Sequence, residues 1–248
     1  SDRLMLDPGN IALVITLCAL LSILSYWFGL LSASGALASF AVGAIIGSFG
    51  TVGWLLTLIA FVFLGFLVTK YRFQAKKRMN VQEGAKGERT YHNVIANGLV
   101  PAAVAVVSFA LGQQGSEVAS LAFISSVAVA AADTTASELG VLSKNTYLIT
   151  TGEKVPAGVD GGISLAGTAG CIVASVVASA VGWLAIFQSL PFDPLIAIPI
   201  TMGVAGCMLD SVVGATLESR GMISKLGNNM MTMGVGSLLS TVLYMLLV

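Results

Sequence analysis

Apolar residues in this chain come in runs near the length of a bilayer crossing, and this limits what it can fold into more than any other feature. Eight runs can be traced, at about 10–31, 33–49, 51–70, 94–112, 117–132, 161–189, 195–213 and 230–248. A spanning helix needs roughly 17–25 mostly apolar residues. The fifth run is short by that measure, and the sixth is long enough to be tilted or broken. The expected fold is all-α: a polytopic integral membrane protein of about eight transmembrane helices in a single domain, residues 1–248. Composition agrees. Only 10% of residues are charged and 56% are hydrophobic, where a soluble domain carries roughly a quarter charged. A soluble enzyme, a disordered chain and a nucleic-acid-binding domain are excluded, and no basic, aromatic-interleaved patch suggests nucleic acid.

The 28 glycines fit close helix packing or broken helices. Gly35, Ser39, Gly43 and Gly47 form a small-residue stripe for helix contact. Cys18, Cys171 and Cys207 lie inside apolar runs and read as small core residues. His92 is the sole histidine, which argues against a multi-histidine zinc site or a Ser-His-Asp triad.

The 12 cations balance 12 acids, yet the balance is polarised. One loop, about 70–93, holds Lys70, Arg72, Lys76, Lys77, Arg78, Lys86 and Arg89. A second, 133–160, holds Lys144 and Lys154; a third, 214–229, holds Arg220 and Lys225. Arg3 is the twelfth cation. With eight spans these loops follow helices three, five and seven, so they share one face. The positive-inside rule makes that face cytoplasmic, which places both termini outside and suits a multi-pass protein of a prokaryotic cytoplasmic membrane.

Five clusters on that face carry candidate chemistry. In the first, Lys86-Gly87-Glu88-Arg89 precedes Asn93 and Asn97, which share a helix face and could hold oxygens beside cations suited to phosphate. In the second, Asp133-Thr134-Thr135-Ala136-Ser137-Glu138 sets two carboxylates and two hydroxyls at helical spacing, a donor set that suits Mg²⁺. An Asp directly after an apolar run is costly unless paired or bound. The third runs from Lys154 through Gly158, Asp160, Gly161 and Gly162 to Ser164, a Gly-rich loop entering a helix N-terminus, where free N–H groups favour anions. It is not a Walker A motif. In the fourth, Asp210, Gly214 and Glu218 follow at four-residue steps, with Ser211 beside Asp210, and Asp210 lies within an apolar run. The fifth is Asn228-Asn229 at the start of the last helix, where capping is an equal explanation. Carboxylates for a divalent metal, cations for phosphate and a glycine-rich cradle suit phosphoryl transfer, which depends on positioning and charge neutralisation.

The motifs K-G-x-R…N-V-x-A-N-G (Lys86 to Gly98), D-T-x-A-S-E-L-G (Asp133 to Gly140), K-V-P-x-G-x-D-G-G-x-S (Lys154 to Ser164) and D-S-x-x-G-A (Asp210 to Ala215) together resemble the membrane family of uncharacterised domain 92. That family includes a phytyl-phosphate kinase of vitamin E synthesis. The resemblance implies a CTP-dependent kinase that converts a phytyl or geranylgeranyl monophosphate to the diphosphate. In that reading Asp133, Glu138 and Asp210 hold Mg²⁺. Lys154 and the loop from Gly158 to Ser164 hold the nucleotide phosphates, while Lys86 and Arg89 neutralise donor or acceptor phosphate. Asn93, Asn97, Asn228 and Asn229 orient oxygens, with Thr134, Ser137, Ser211 and Glu218 beside them. The isoprenyl tail lies between Gly-rich helices. The expected partners are a nucleoside triphosphate, an isoprenyl phosphate lipid, the membrane and, in a homo-oligomer, further copies of the chain. Two alternatives stand beside this. One is a cytidylyltransferase making a CDP-lipid. The other is a small-solute transporter, since broken Gly-rich helices and intramembrane acids also mark transport pathways.

Overall fold

The computed structural model describes residues 8–248, so Arg3 lies outside the described residues. The elements in chain order are α1 (Pro8–Trp27), α2 (Ala33–Phe49), α3 (Val52–Lys70), α4 (Phe73–Arg78), α5 (Tyr91–Ala110), α6 (Glu117–Gly140), α7 (Leu165–Phe187), α8 (Ala197–Val213) and α9 (Lys225–Leu247). Among the described residues, counting α8 with the turns that flank it, seven helices are long and apolar enough to cross a membrane; α2 is an apolar helix of 17 residues. These are the eight expected segments. Leu13, Ile23, Phe63, Val107, Val173 and Leu238 point outward, exposed, as lipid-facing side chains do.

Hydroxyl caps set where most helices begin. The side chains of Ser32, Thr51, Ser116, Ser164 and Ser224 each accept from the backbone N–H three residues on, satisfying donors that would otherwise be bare at a membrane boundary. The most enclosed helix, α6, packs against α7, α8, α9, α3 and α5. Its side chains are mostly Ala, Ser and Val, and its neighbours approach it through glycine. A Cβ on Gly206 of α8 would lie 2.5 Å from Val129, and one on Gly236 of α9 would lie 2.9 Å from it. The stripe on α2 serves α1 in the same way: Gly43 faces Cys18 and Gly47 faces Val14. All three cysteines are buried and free.

The connections alternate between two ends. At one end the turn after α1 meets the segment before α5: Ser32 N–H donates to Arg89 O, and Arg89 N–H to Leu30 O, both at 3.0 Å. The charged loops gather here. At the other end Gln114 donates to Gly50 O at 2.6 Å, and Tyr244 near the end of α9 donates to Glu117 at 2.8 Å.

The structure departs from expectation in four places. The fifth segment does not stop at 132: α6 runs on to Gly140, because the polar residues from Asp133 onward face a cavity inside the bundle. The sixth begins later than 161, at Leu165. The loop before it holds a three-stranded antiparallel sheet, order β2-β1-β3, built from β1 (Thr146–Leu148), β2 (Lys154–Val155) and β3 (Gly162–Ile163). The all-α expectation therefore gains a small β element, whose strands are too short to show alternation in sequence. Finally, α8 ends in a π-helical turn, Gly214–Glu218. Such turns recur at functional sites, and this one shifts Glu218 from the four-residue spacing shared by Asp210 and Gly214.

Candidate functional site

A polar cavity of about 390 Å³ opens at the charged end. Its walls come from the ends of α6 and α8, the starts of α5 and α9, the segment 80–89 and the glycine loop before α7. Of the residues singled out in the sequence, Arg89, Asn93, Asn97, Asp133, Thr134, Ser137, Glu138, Gly158, Asp160, Gly161, Gly162, Ser164, Asp210, Ser211, Glu218 and Asn229 line it. Five clusters far apart in sequence thus meet in one site.

Asp133 of α6 and Asp210 of α8 both line it and lie close enough to act on each other's charge. No Lys or Arg lies within ion-pair distance of either, among the described residues. Lys225 and Arg89 act on Asp133 only from further away. Asp210 Oδ1 is buried without a partner, as are Asn97 Oδ1, Gln82 Oε1 and Thr146 Oγ1 in the same walls. Two adjacent carboxylates in a membrane-embedded cavity repel strongly unless a proton or cation lies between them.

Glu138 does not join this pair. Its Oε2 accepts from Lys76 Nζ at 2.6 Å and its Oε1 from Thr69 Oγ1 at 2.7 Å. Lys76 is 0% exposed and also donates to the Val68 and Thr69 carbonyls. Both oxygens of Glu138 are therefore held by the protein, and its charge is balanced within it. Among the described residues no three His, Cys, Asp or Glu side chains gather to hold a metal. The three-carboxylate Mg²⁺ set thus reduces to two. Mg²⁺ typically takes one or two carboxylates and completes its shell with water and substrate phosphate. Asp133 and Asp210, with unpartnered oxygens around them, fit that pattern.

Arg89 is fixed by the two backbone bonds to the α1–α2 turn, and its guanidinium donates to Thr69 Oγ1 at 3.1 Å. Just before it, Lys86 N–H donates to Glu88 Oε2 at 2.6 Å. Glu88's own backbone N–H, and after it this bond from Lys86, hold the Glu88 carboxyl below its ordinary range. The turn requires Gly84 and Gly87 at positive φ, +58° and +82°. The glycine loop docks on the π turn of α8: a Cβ on Gly161, at φ +76°, would fall 2.6 Å from Ala215 N. Ser164 lines the cavity, but its hydroxyl caps α7 at Gly167 N–H.

Three expected residues lie elsewhere. Lys154 is exposed on β2, where Nζ donates to Asn145 Oδ1 at 2.8 Å; pairing with β1 turns it away from the cavity. Lys86 is exposed, its carbonyl held by Lys70. Asn228 is a buried strut whose Nδ2 donates to Asp210 O at 3.0 Å and Glu218 Oε2 at 3.1 Å. Asn93 spends its amide on a capping box with Thr90 and on Glu83. Sequence reasoning missed Lys225, which lines the cavity in the field of Asp133, Glu83, Glu218 and Asp160, and also Glu83, Gln82 and Asn80. A signal for Lys225 existed: it directly follows the cap Ser224 and precedes Asn228-Asn229.

Residues 16–240 match the family described as Integral membrane protein DUF92. An uncharacterized membrane protein of Methanocaldococcus jannaschii is 32% identical over 211 residues, covering 85% of this chain and 84% of that protein. The chloroplast protein VTE6 of Arabidopsis thaliana is 31% identical over 85% of this chain; the match spans 64% of the plant protein, less than two thirds of its length. An uncharacterized membrane protein of Synechocystis is 32% identical over 73% of this chain and 70% of its own. No solved structure matches. An eight-helix membrane bundle whose four motifs meet in one cavity, matched along nearly its whole length, belongs to the DUF92 family of integral membrane proteins.

Proposed function

We propose that this protein is a membrane phosphotransferase, a CTP-dependent kinase that converts an isoprenyl monophosphate to its diphosphate at the cytoplasmic face. The observation that carries the reading is the Asp133–Asp210 pair: two carboxylates with no Lys or Arg in ion-pair contact among the described residues, in a cavity that also holds Arg89, Lys225 and the glycine loop. The motif resemblance to a family with a phytyl-phosphate kinase supports the acceptor, and the positive loops at that end support the cytoplasmic side.

A phosphate oxygen of the lipid attacks the γ-phosphorus of the nucleotide. The bond from that phosphorus to the β–γ bridging oxygen breaks, and CDP leaves with the electron pair. The nucleophile is already an anion, so no side chain need take a proton, and the barrier is mainly repulsion between two anions. Arg89, held in place by Thr69 and the α1–α2 turn, neutralises one phosphate. Lys225 offsets charge on the opposite wall. The Gly158–Ser164 loop brings backbone close to the nucleotide phosphates, where a side chain would block approach. Asp133 and Asp210 are the residues that would hold a Mg²⁺ ion, whose charge would offset that of the phosphates during transfer.

The test is product analysis. Purified protein with geranylgeranyl or phytyl monophosphate, Mg²⁺ and each nucleoside triphosphate in turn should yield lipid diphosphate and, with CTP, CDP. Pyrophosphate and a CDP-lipid would identify a cytidylyltransferase instead, and no lipid product with any nucleotide would reject the kinase.

A further inference from the structure

Beside the polar cavity lies a second, narrow hollow of about 50 Å³ with an apolar lining, including Val42 of α2, Leu58, Phe61 and Val62 of α3, and Val94 of α5. It follows a seam in the bundle. Helix α3 leans on α6 and α7, whereas α2 packs chiefly on α1 and α5, so α3 meets the α2–α5 pair along a narrow seam, flanked by Val42, Leu58 and Phe61 of one buried cluster. Val62, at the lipid-facing rim, is 37% exposed. The inner end of the seam is polar, and Arg89, Asn93 and Asn97 line both the hollow and the large cavity.

We propose that this seam receives the hydrocarbon tail of the acceptor lipid, which enters sideways from the bilayer with its phosphate against Arg89. The proposal deepens the kinase reading and rests on it for the identity of the acceptor. Two features favour this occupant. An apolar slot ending in a guanidinium is complementary to an amphiphile with an anionic head. Its continuity with the cavity puts that head where the carboxylate pair and the glycine loop converge. Gly65 keeps the passage open: a Cβ there would lie 3.5 Å from the Arg89 guanidinium and 3.8 Å from Thr134, so a larger side chain would stand between slot and cavity.

The test is photolabelling of the full chain in lipid nanodiscs with a diazirine-tagged geranylgeranyl monophosphate, with labelled residues mapped by mass spectrometry. Label is expected at Val42, Phe61, Val62 and Val94, displaced by excess geranylgeranyl monophosphate but not by geranylgeraniol. Label on other helices, or spread over the outer surface as a diazirine phosphatidylcholine would spread, overturns the proposal. Gly65→Leu should cut specific labelling at least tenfold and raise KM for long-chain acceptors by a similar factor. Should that variant fail to fold, Val62→Trp narrows the slot from the rim, and wild-type labelling and KM in Val62→Trp would also overturn the proposal. The expected labelling pattern in a protein that makes no diphosphate would reject the kinase and leave the slot standing. Diphosphate formed with label elsewhere would do the reverse.

Discussion

Glu138 and Asp133 sit five residues apart on α6 and live in opposite circumstances. That spacing turns them about 140° from each other around the helix axis, so Glu138 faces α3 and α4 while Asp133 faces α8. Glu138 meets a lysine with no exposed surface and two ordered hydrogen bonds. Asp133 meets another carboxylate. Burying an ion pair is tolerable when both partners are satisfied, whereas bringing two like charges together is not, unless something else enters. The first arrangement is scaffold: it anchors α4 to α6 and, through Thr69, steadies Arg89. The second has no ion-pair partner among the described residues, and it is there that the proposed function puts the cation.

Breaking the scaffold pair should have the largest effect. Lys76→Met leaves Glu138 buried and unpaired, at a cost of about 3–5 kcal/mol of stability, read as a lowered melting temperature in detergent. Lys76→Met with Glu138→Leu should recover most of that loss, and no recovery would show that the pair was not coupled. Asp133→Asn and Asp210→Asn should do the opposite: turnover falls about 10²–10³-fold while melting stays level or rises, because a repulsion is removed. Full turnover in either would take that residue out of the site. Asn228→Ala removes the strut between Asp210 and Glu218 and should cost about 1–3 kcal/mol, with a weaker loss of turnover than either Asp variant.

The smallest effect concerns Glu88. Its carboxyl is held below the ordinary value of 4.5 by backbone N–H groups, so the turn before Arg89 gains stability that is complete above that value. The gain is lost as pH falls through the lower, folded value. Amide exchange across 84–90 should therefore quicken on acidification in the wild type, and Glu88→Gln should flatten that dependence.

The long apolar runs made eight helices and their alternation readable, and the cation-rich loops made it readable which ends share a face. Asp210 was readable because an acid inside an apolar run has few structural excuses. The division between Asp133 and Glu138 was not readable. Both look alike in D-T-x-A-S-E, and which of them a lysine neutralises depends on how α4 folds back. Lys76 itself stands in Lys76-Lys77-Arg78, where a buried cation cannot be told from its exposed neighbours. Lys154 misled for a related reason: a lysine beside a glycine loop suggests phosphate, but strand pairing with β1 sends it outward. The π turn that seats Gly161 depends on packing and leaves no local sign beyond Gly214.

The most direct measurement is cation binding at the carboxylate pair, followed by electron paramagnetic resonance of Mn²⁺ titrated into the purified protein with CTP present. Binding should be lost in Asp133→Asn and Asp210→Asn and kept in the Lys76→Met, Glu138→Leu double variant. Binding that survives both Asp substitutions, or vanishes only when the Lys76–Glu138 pair is removed, would contradict the assignment of the Asp133–Asp210 pair as the centre that holds the ion.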